Sequence, residues 1–325
     1  MILVICLNPA LDITHEVPEV DWAGVNRPTA VHARPGGKGT NVARTLHSFG
    51  LPLLLLGLAG GGTGAAVETG LRRLGVPVAF TPVAGETRRT FTVVDARGRA
   101  ALFNEPGPEV SAAEFARFWA AYAAALDGAD VVVLSGSLPR GLPAGRFAGL
   151  ITQAADAGVP AVLDTSGEAL REGIAAGPAI VTPNLAELEE LSGQALTGAD
   201  RGIDEAALAA AAAALRGAGA GAAVVTLGAA GLLAVTGDGC WRARPAAAVA
   251  GNATGAGDAV TAALAHSLLL GRPWDERLRH AAALGAAAVA APVAGEFSLD
   301  RYAAGLDSVT VHRETVQPEE GSSCR

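Results

Sequence analysis

The sequence predicts an α/β fold: a doubly wound, mostly parallel sheet with helices on both faces and a small β-sheet flap. Three observations carry this. Short apolar runs bounded by glycine or proline recur at 2–7, 53–58, 131–134, 161–163, 180–181 and 223–227. Helical patterns fall between them, at 40–48, 64–74, 111–126, 144–157, 184–192 and 204–216. Uniformly apolar runs suit strands buried on both faces, and strand alternating with helix is the pattern of βαβ units. Finally, 325 residues of which 50% are apolar can bury a full core, in one large domain or two smaller ones.

Taken in order, Met1 leads straight into the first strand rather than into a charged leader, so no signal peptide is expected. Segments 13–35 and 87–104 break the rhythm. They lack helical periodicity, and the β-type stretches 90–94 and 100–103 are joined by the turn Asp95-Ala96-Arg97-Gly98. A small antiparallel flap inserted in the main domain follows. The alanine run at 206–214 carries strong helix propensity and reads as an ordinary helix. Residues 312–325, polar and without periodicity, are expected as a mobile tail, which leaves 1–311 for the folded part, in one domain or two.

A net charge of -8 argues against a nucleic-acid surface, so any phosphate must be held by a few placed cations. Cys6, Cys240 and Cys324 stand far apart with no CxxC pair, which suits a reducing cytoplasm and offers no zinc pattern. No long uncharged apolar run suggests a membrane span.

Lys38 is the only lysine among 24 basic residues, and it sits in Pro35-Gly36-Gly37-Lys38-Gly39-Thr40-Asn41. An ammonium is a compact point charge where guanidinium is a wide fork, and flanking glycines let a ligand approach the backbone. The stretch reads as a lysine holding an anion against a turn, or as a solvated loop lysine. It is not a Walker loop, because Gly39 separates the lysine from Thr40. A second glycine turn, Asn252-Ala253-Thr254-Gly255-Ala256-Gly257-Asp258, opens into the apolar segment 259–270. Free amides and the helix dipole there make an anion site. Asp258 is either the helix cap or a general base beside that site.

With these motifs in order, the chain resembles the ribokinase-like (PfkB) carbohydrate kinases, in the branch of 1-phosphofructokinase, tagatose-6-phosphate kinase and the minor bacterial 6-phosphofructokinase. The resemblance runs from about Ile2 to Val311. It rests on Asn8-Pro9-Ala10-Leu11-Asp12, the 36–41 turn, Gly85-Glu86-Thr87-Arg88, Leu134-Ser135-Gly136-Ser137-Leu138-Pro139, Pro183-Asn184 with Glu187, Thr226-Leu227-Gly228 with Gly231, and Gly255-Ala256-Gly257-Asp258.

The resemblance implies that Asp258 is the catalytic base and that the Gly255, Ala256 and Gly257 amides are the anion hole. It implies sugar contacts from Asp12, Gly37 and Asn41, and a grip on the sugar's own phosphate from Arg27, Lys38 and Arg88, with Ser137 nearby. Asn184 and Glu187 would organise Mg2+ and phosphate, Glu187 indirectly, while Thr226, Gly228 and Gly231 face the nucleotide. The flap becomes a lid and a homodimer interface. Implied partners are ATP and a ketohexose phosphate, fructose 1-phosphate first, with fructose 6-phosphate and tagatose 6-phosphate open; a monovalent cation is an open addition.

Each residue also has a structural alternative: Asp12 as a loop cap, Arg27 and Arg88 as solvated flap charges, Ser137 as a turn hydroxyl. Two departures stand out. Thr182 replaces the lysine usual before the Pro-Asn pair, and Val25 stands where the minor phosphofructokinase has lysine. The competing readings are a kinase of an unphosphorylated sugar or nucleoside, and a catalytically dead sugar-phosphate sensor. Three cations around a neutral ligand would be costly to desolvate, and an intact Asp258 turn speaks against the sensor.

Overall fold

The computed structural model describes residues 1–198, 202–247, 249, 251, 253–291 and 293–314. The first apolar run forms β1 (Ile2–Cys6), buried at every position. Because successive side chains point to opposite faces, Ile2, Val4 and Cys6 enter one apolar layer and Leu3 and Ile5 the other. That is why the run carries no polar alternation.

The chain then leaves the sheet as β2 (Ala10–Val17) and β3 (Ala30–Gly36), and returns through α1 (Lys38–Ser48), β4 (Leu53–Ala59), α2 (Gly61–Arg73) and β5 (Val78–Pro82). A second excursion is β6 (Arg88–Asp95) and β7 (Ala100–Asn104). Winding resumes with α3 (Ala112–Leu126), β8 (Val131–Ser135), α4 (Arg146–Asp156), β9 (Ala161–Asp164), α5 (Gly167–Ala175) and β10 (Ile180–Val181). It continues through α6 (Leu185–Ser192), α7 (Glu205–Gly217) and β11 (Ala223–Thr226). The last elements are β12 (Leu232–Thr236), β13 (Gly239–Arg244), α8 (Ala256–Leu269), α9 (Trp274–Val289), α10 (Leu299–Ser308) and β14 (Thr310–Glu314).

The main sheet runs β14-β13-β12-β11-β10-β9-β8-β1-β4-β5, parallel from β11 to β5 and antiparallel from β11 to β14. Helices α3 to α7 cover one face, and α1, α2 and α8 to α10 cover the other. The alanine-rich sequence has a packing use here. Gly285 of α9 lies so close to α8 that an added Cβ would stand 3.0 Å from Val260 Cγ2, an approach that only small side chains permit.

The flap is a four-stranded sheet in the order β3-β2-β6-β7. It departs from the antiparallel expectation at its centre, where β2 and β6 are parallel; β2-β3 and β6-β7 are antiparallel. Strands 70 residues apart both enter the flap from the main sheet, so they run the same way, a relation that local turn signals do not reveal. The 95–98 turn forms as expected, with Gly98 at φ 78° and the Asp95 carboxylate accepting from the Arg97 and Arg99 amides.

The expected boundary at 311 also needs correction. His312, Arg313 and Glu314 belong to β14 and pair with Arg242, Trp241 and Cys240 of β13, so the polar stretch begins as an edge strand. Edge strands are polar on their open side, which hides them from a search for apolar runs. The remainder of the predicted tail, 315–325, lies outside the described residues.

Candidate active site

A cleft of about 1910 Å³ lies between the flap and the C-terminal ends of the parallel strands, the usual ligand position in doubly wound sheets. Its walls include Asp12, Lys38, Asn41, Arg88, Asp164 and Asp258. Among the predicted site residues, Gly37, Asn184, Glu187, Thr226, Gly228, Gly231, Gly255, Ala256 and Gly257 also line it. Arg27 and Ser137 do not.

The 35–41 turn delivers α1 to the cleft. Gly37 is its N-cap at φ 90°, and an added Cβ would meet Pro9 Cα at 3.2 Å, so the left-handed turn and the close approach both require glycine. The helix then points Asn41 at the second glycine turn, where its Nδ2 donates to Asp258 Oδ2 at 2.8 Å.

Asp258 lies in the first turn of α8, whose N-cap is Gly255 at φ 85° with no side-chain cap. The capping alternative therefore fails: Asp258 bonds to Asn41, while the helix start is left to its backbone amides. Such a start favours an anion. The carboxyl is buried, and burial raises its pKa well above the usual carboxylate range. Nearby Asp164 and Asp12 push it the same way, while the Asn41 hydrogen bond and the Lys38 ammonium pull it down. A carboxylate held near neutral affinity for protons is suited to accept one from a hydroxyl.

The Lys38 ammonium does not face the flap. It donates to Asp164 Oδ1 at 3.0 Å and stands 3.6 Å from Glu187 Oε1. Burial alone would lower its pKa, but the charges of Asp164 and Glu187 outweigh it and hold the group protonated. Asp164 is itself fixed by the Ser135 hydroxyl, 3.0 Å from Oδ2. Asp164 was missed in the sequence, although a charge directly after the apolar 161–163 run, at a strand's C-terminal end, is a readable signal.

Asn184 and Glu187 form a reciprocal capping box at the start of α6: the Glu187 amide donates to Asn184 Oδ1, and the Asn184 amide to Glu187 Oε2, both at 2.9 Å. The second Glu187 oxygen is the one turned to Lys38. One side chain thus serves the helix and the cleft together. Thr182 is buried, and its hydroxyl sits 3.1 Å from that of Thr261 on α8. At this departure from the related kinases stands a neutral contact between the residue that follows β10 and α8.

On the flap side, Asp12 Oδ1 accepts from the Thr90 hydroxyl at 2.5 Å. Burial raises the Asp12 pKa, against the Thr90 hydrogen bond and the Arg88 and Arg44 charges, which lower it. Arg88 donates through Nε to the Asn8 carbonyl at 3.2 Å and forms no ion pair among the described residues. Its backbone is aimed by the preceding residues: Glu86 Oε1 accepts from the Thr63 amide at the start of α2, and the Thr87 hydroxyl accepts from the Gly60 amide at 2.9 Å. Ser137 is exposed and takes a hydrogen bond from Asn8 Nδ2 at 3.0 Å. Arg27 is exposed on the β2-β3 connection. At the opposite end, Thr226 closes β11 and Gly228 and Gly231 bracket a tight turn at φ 57° and 86°.

The pattern of the pfkB family carbohydrate kinases matches residues 6–300. The chain belongs to that family. It is similar to phosphofructokinase-2 from Escherichia coli solved in complex with potassium, at 30% identity over 94% of this chain and 98% of that one, with a TM-score of 0.86. The same E. coli protein in complex with fructose-6-phosphate superposes with a TM-score of 0.83 at 30% identity, with the same coverage. A protein described as a possible 1-phosphofructokinase from Thermotoga maritima is 25% identical over 97% of this chain and 99% of that one, with a TM-score of 0.84. The chain is therefore a sugar kinase of the pfkB family, and membership implies ATP and a divalent metal. Among the described residues no helix is long and apolar enough to cross a membrane.

Proposed function

We propose that this pfkB-family kinase transfers the γ-phosphoryl of ATP to a free hydroxyl of a ketohexose phosphate, with fructose 1-phosphate ranked first. The carrying observation is Arg88, a guanidinium on the cleft wall that forms no ion pair among the described residues. A half-buried guanidinium with no ion pair of its own suits an anionic ligand, and the phosphate already on the sugar supplies one. Val25, where the minor phosphofructokinase carries lysine, ranks fructose 1-phosphate ahead of fructose 6-phosphate.

In this mechanism Asp12 and Asn41 orient the sugar hydroxyls, and Asp258 accepts the proton of the attacking hydroxyl as its oxygen bonds to the γ-phosphorus and the bond from that phosphorus to the departing ADP breaks. The amides at the start of α8 and the Lys38 ammonium stabilise the charge of the transferred group. The residues present fit magnesium, which binds through one or two carboxylates together with substrate phosphates. Asp164 and Glu187 would hold it, and it would neutralise charge on the phosphates. Thr226, Gly228 and Gly231 offer the nucleotide a surface of small residues.

On the flap, away from the cleft, the exposed apolar residues Trp22, Val25, Val31 and Phe103 support a second copy of this chain as partner. Arg27 stands on the same exposed excursion.

The test is a steady-state panel of fructose 1-phosphate, fructose 6-phosphate, tagatose 6-phosphate and free fructose with ATP and magnesium. The proposal expects the highest kcat/KM with fructose 1-phosphate and the lowest with free fructose. Preference for free fructose would overturn it, and preference for another phosphate would overturn the ranking alone.

A further inference from the structure

We propose that Glu296 is a positioning residue that fastens the flap to the catalytic turn. Its Oε1 is shared by two guanidiniums from different parts of the fold, Arg34 Nη1 on flap strand β3 at 3.0 Å and Arg44 Nη2 on α1 at 2.9 Å. Arg44 is buried and also donates through Nη1 to the Ala294 carbonyl at 2.9 Å. The tight turn 293–296 that carries Glu296 is therefore pinned to α1 from two sides.

That turn backs the reaction centre. An added Cβ on Gly255, the N-cap of α8, would meet Ala294 Cβ at 2.8 Å. One on Gly295 would stand 3.1 Å from Asn41 Oδ1 and from Arg44 Nη1. Asn41 is the residue that holds Asp258. A physical chain thus runs from β3 through Arg34 and Glu296 to the turn packed on both Gly255 and Asn41. Arg34 lies opposite Asp12 in the β2-β3 register, so the same strand pair that carries the sugar-side carboxylate is the one tied down. Glu296 and Arg34 are both partly exposed, so the tie can open and close without burying an unpaired charge.

The experiment compares Glu296→Gln, Arg34→Gln and the double variant in the full chain. Without any substrate, hydrogen exchange across 30–36 should rise about 5-fold in each single variant and no further in the double, the non-additivity of one shared contact. With the ketohexose phosphate that the unaltered enzyme turns over best, Arg34→Gln should raise KM by more than it lowers kcat. Glu296→Gln should raise KM to a similar extent and also lower kcat, because the turn behind Gly255 and Asn41 loosens. Glu296→Asp should restore part of both. Additive effects in the double variant would overturn the proposal, as would a lower Tm with exchange and KM unchanged, since Glu296 would then only neutralise Arg44. The exchange readout needs no substrate, so failure of the proposed substrate assignment leaves this test standing.

Discussion

Two helices begin at the same cleft, α6 and α8, and both carry an acid three residues after the N-cap: Glu187 after Asn184, and Asp258 after Gly255. At α6 the acid turns back and closes a capping box, so the amides at that start are partly spent on the protein itself. At α8 the cap is a glycine with no side chain to offer, and the acid is drawn away to Asn41. One start is closed by its own acid, and the other has no side-chain cap. The lesson is that residue type and position in a helix do not tell a capping acid from one turned elsewhere; the partner of the carboxylate does. Lys38 stands between the two, paired with Asp164 and Glu187 and close enough to Asp258 for its charge to matter.

The contrast is broken most directly at Asp258. Asp258→Asn should lose about 10²–10⁴-fold in kcat, the usual worth of a general base, with substrate affinity retained. Near-normal turnover with an earlier melt would return Asp258 to a structural role. Next in size, Lys38→Met should cost about 2 kcal/mol in kcat/KM, the scale of a charge-assisted hydrogen bond. Its pairing on the Glu187 side predicts the same proportional loss for fructose and for its phosphates. A loss confined to the phosphates would move Lys38 to the sugar's own phosphate.

A smaller effect tests burial. The Asp258 carboxyl has a raised pKa in the folded chain, so the native state holds its proton more tightly than the unfolded state does. Its stabilising contribution is present below the unfolded value near 4 and is lost as pH rises through the folded value. Thermal melts from pH 5 to pH 8 should therefore show Asp258→Asn gaining stability relative to the unaltered protein as pH rises. A gap independent of pH would mean that Asp258 is not buried at a cost. Smallest of all, Asn184→Ala should lower stability by about 1 kcal/mol through loss of the cap. The equivalent change at the other start, Gly255→Ala, should act through its left-handed φ of 85° and its contact with Ala294, and should lower kcat as well as Tm.

Much of the architecture was legible because it rests on local regularities. The strands at 2–7, 53–58 and 131–134 are apolar on both faces, and the helix at 111–126 begins at Ser111 with Glu114 in reciprocal bonds, a signal carried by two residues. What escaped lacked such a signal. Helix α5 is short, at nine residues, and β12 and β13 form an antiparallel extension rather than another βα repeat. Strand β14 is polar and lies at an edge, and the parallel contact of β2 with β6 joins segments far apart in sequence.

The sequence by itself determined the winding of the sheet and the two glycine turns, because periodicity, propensity and backbone freedom act over a few residues. Only the tertiary structure decided the partners: Asn41 on Asp258, Asp164 and Glu187 on Lys38, Arg34 and Arg44 on Glu296. Those pairs are separated by 126 positions at the least, Lys38 and Asp164, and by 262 at the most, Arg34 and Glu296. Their energies depend on distance and burial in space, and neither quantity exists until the strands have brought their C-terminal ends to one edge.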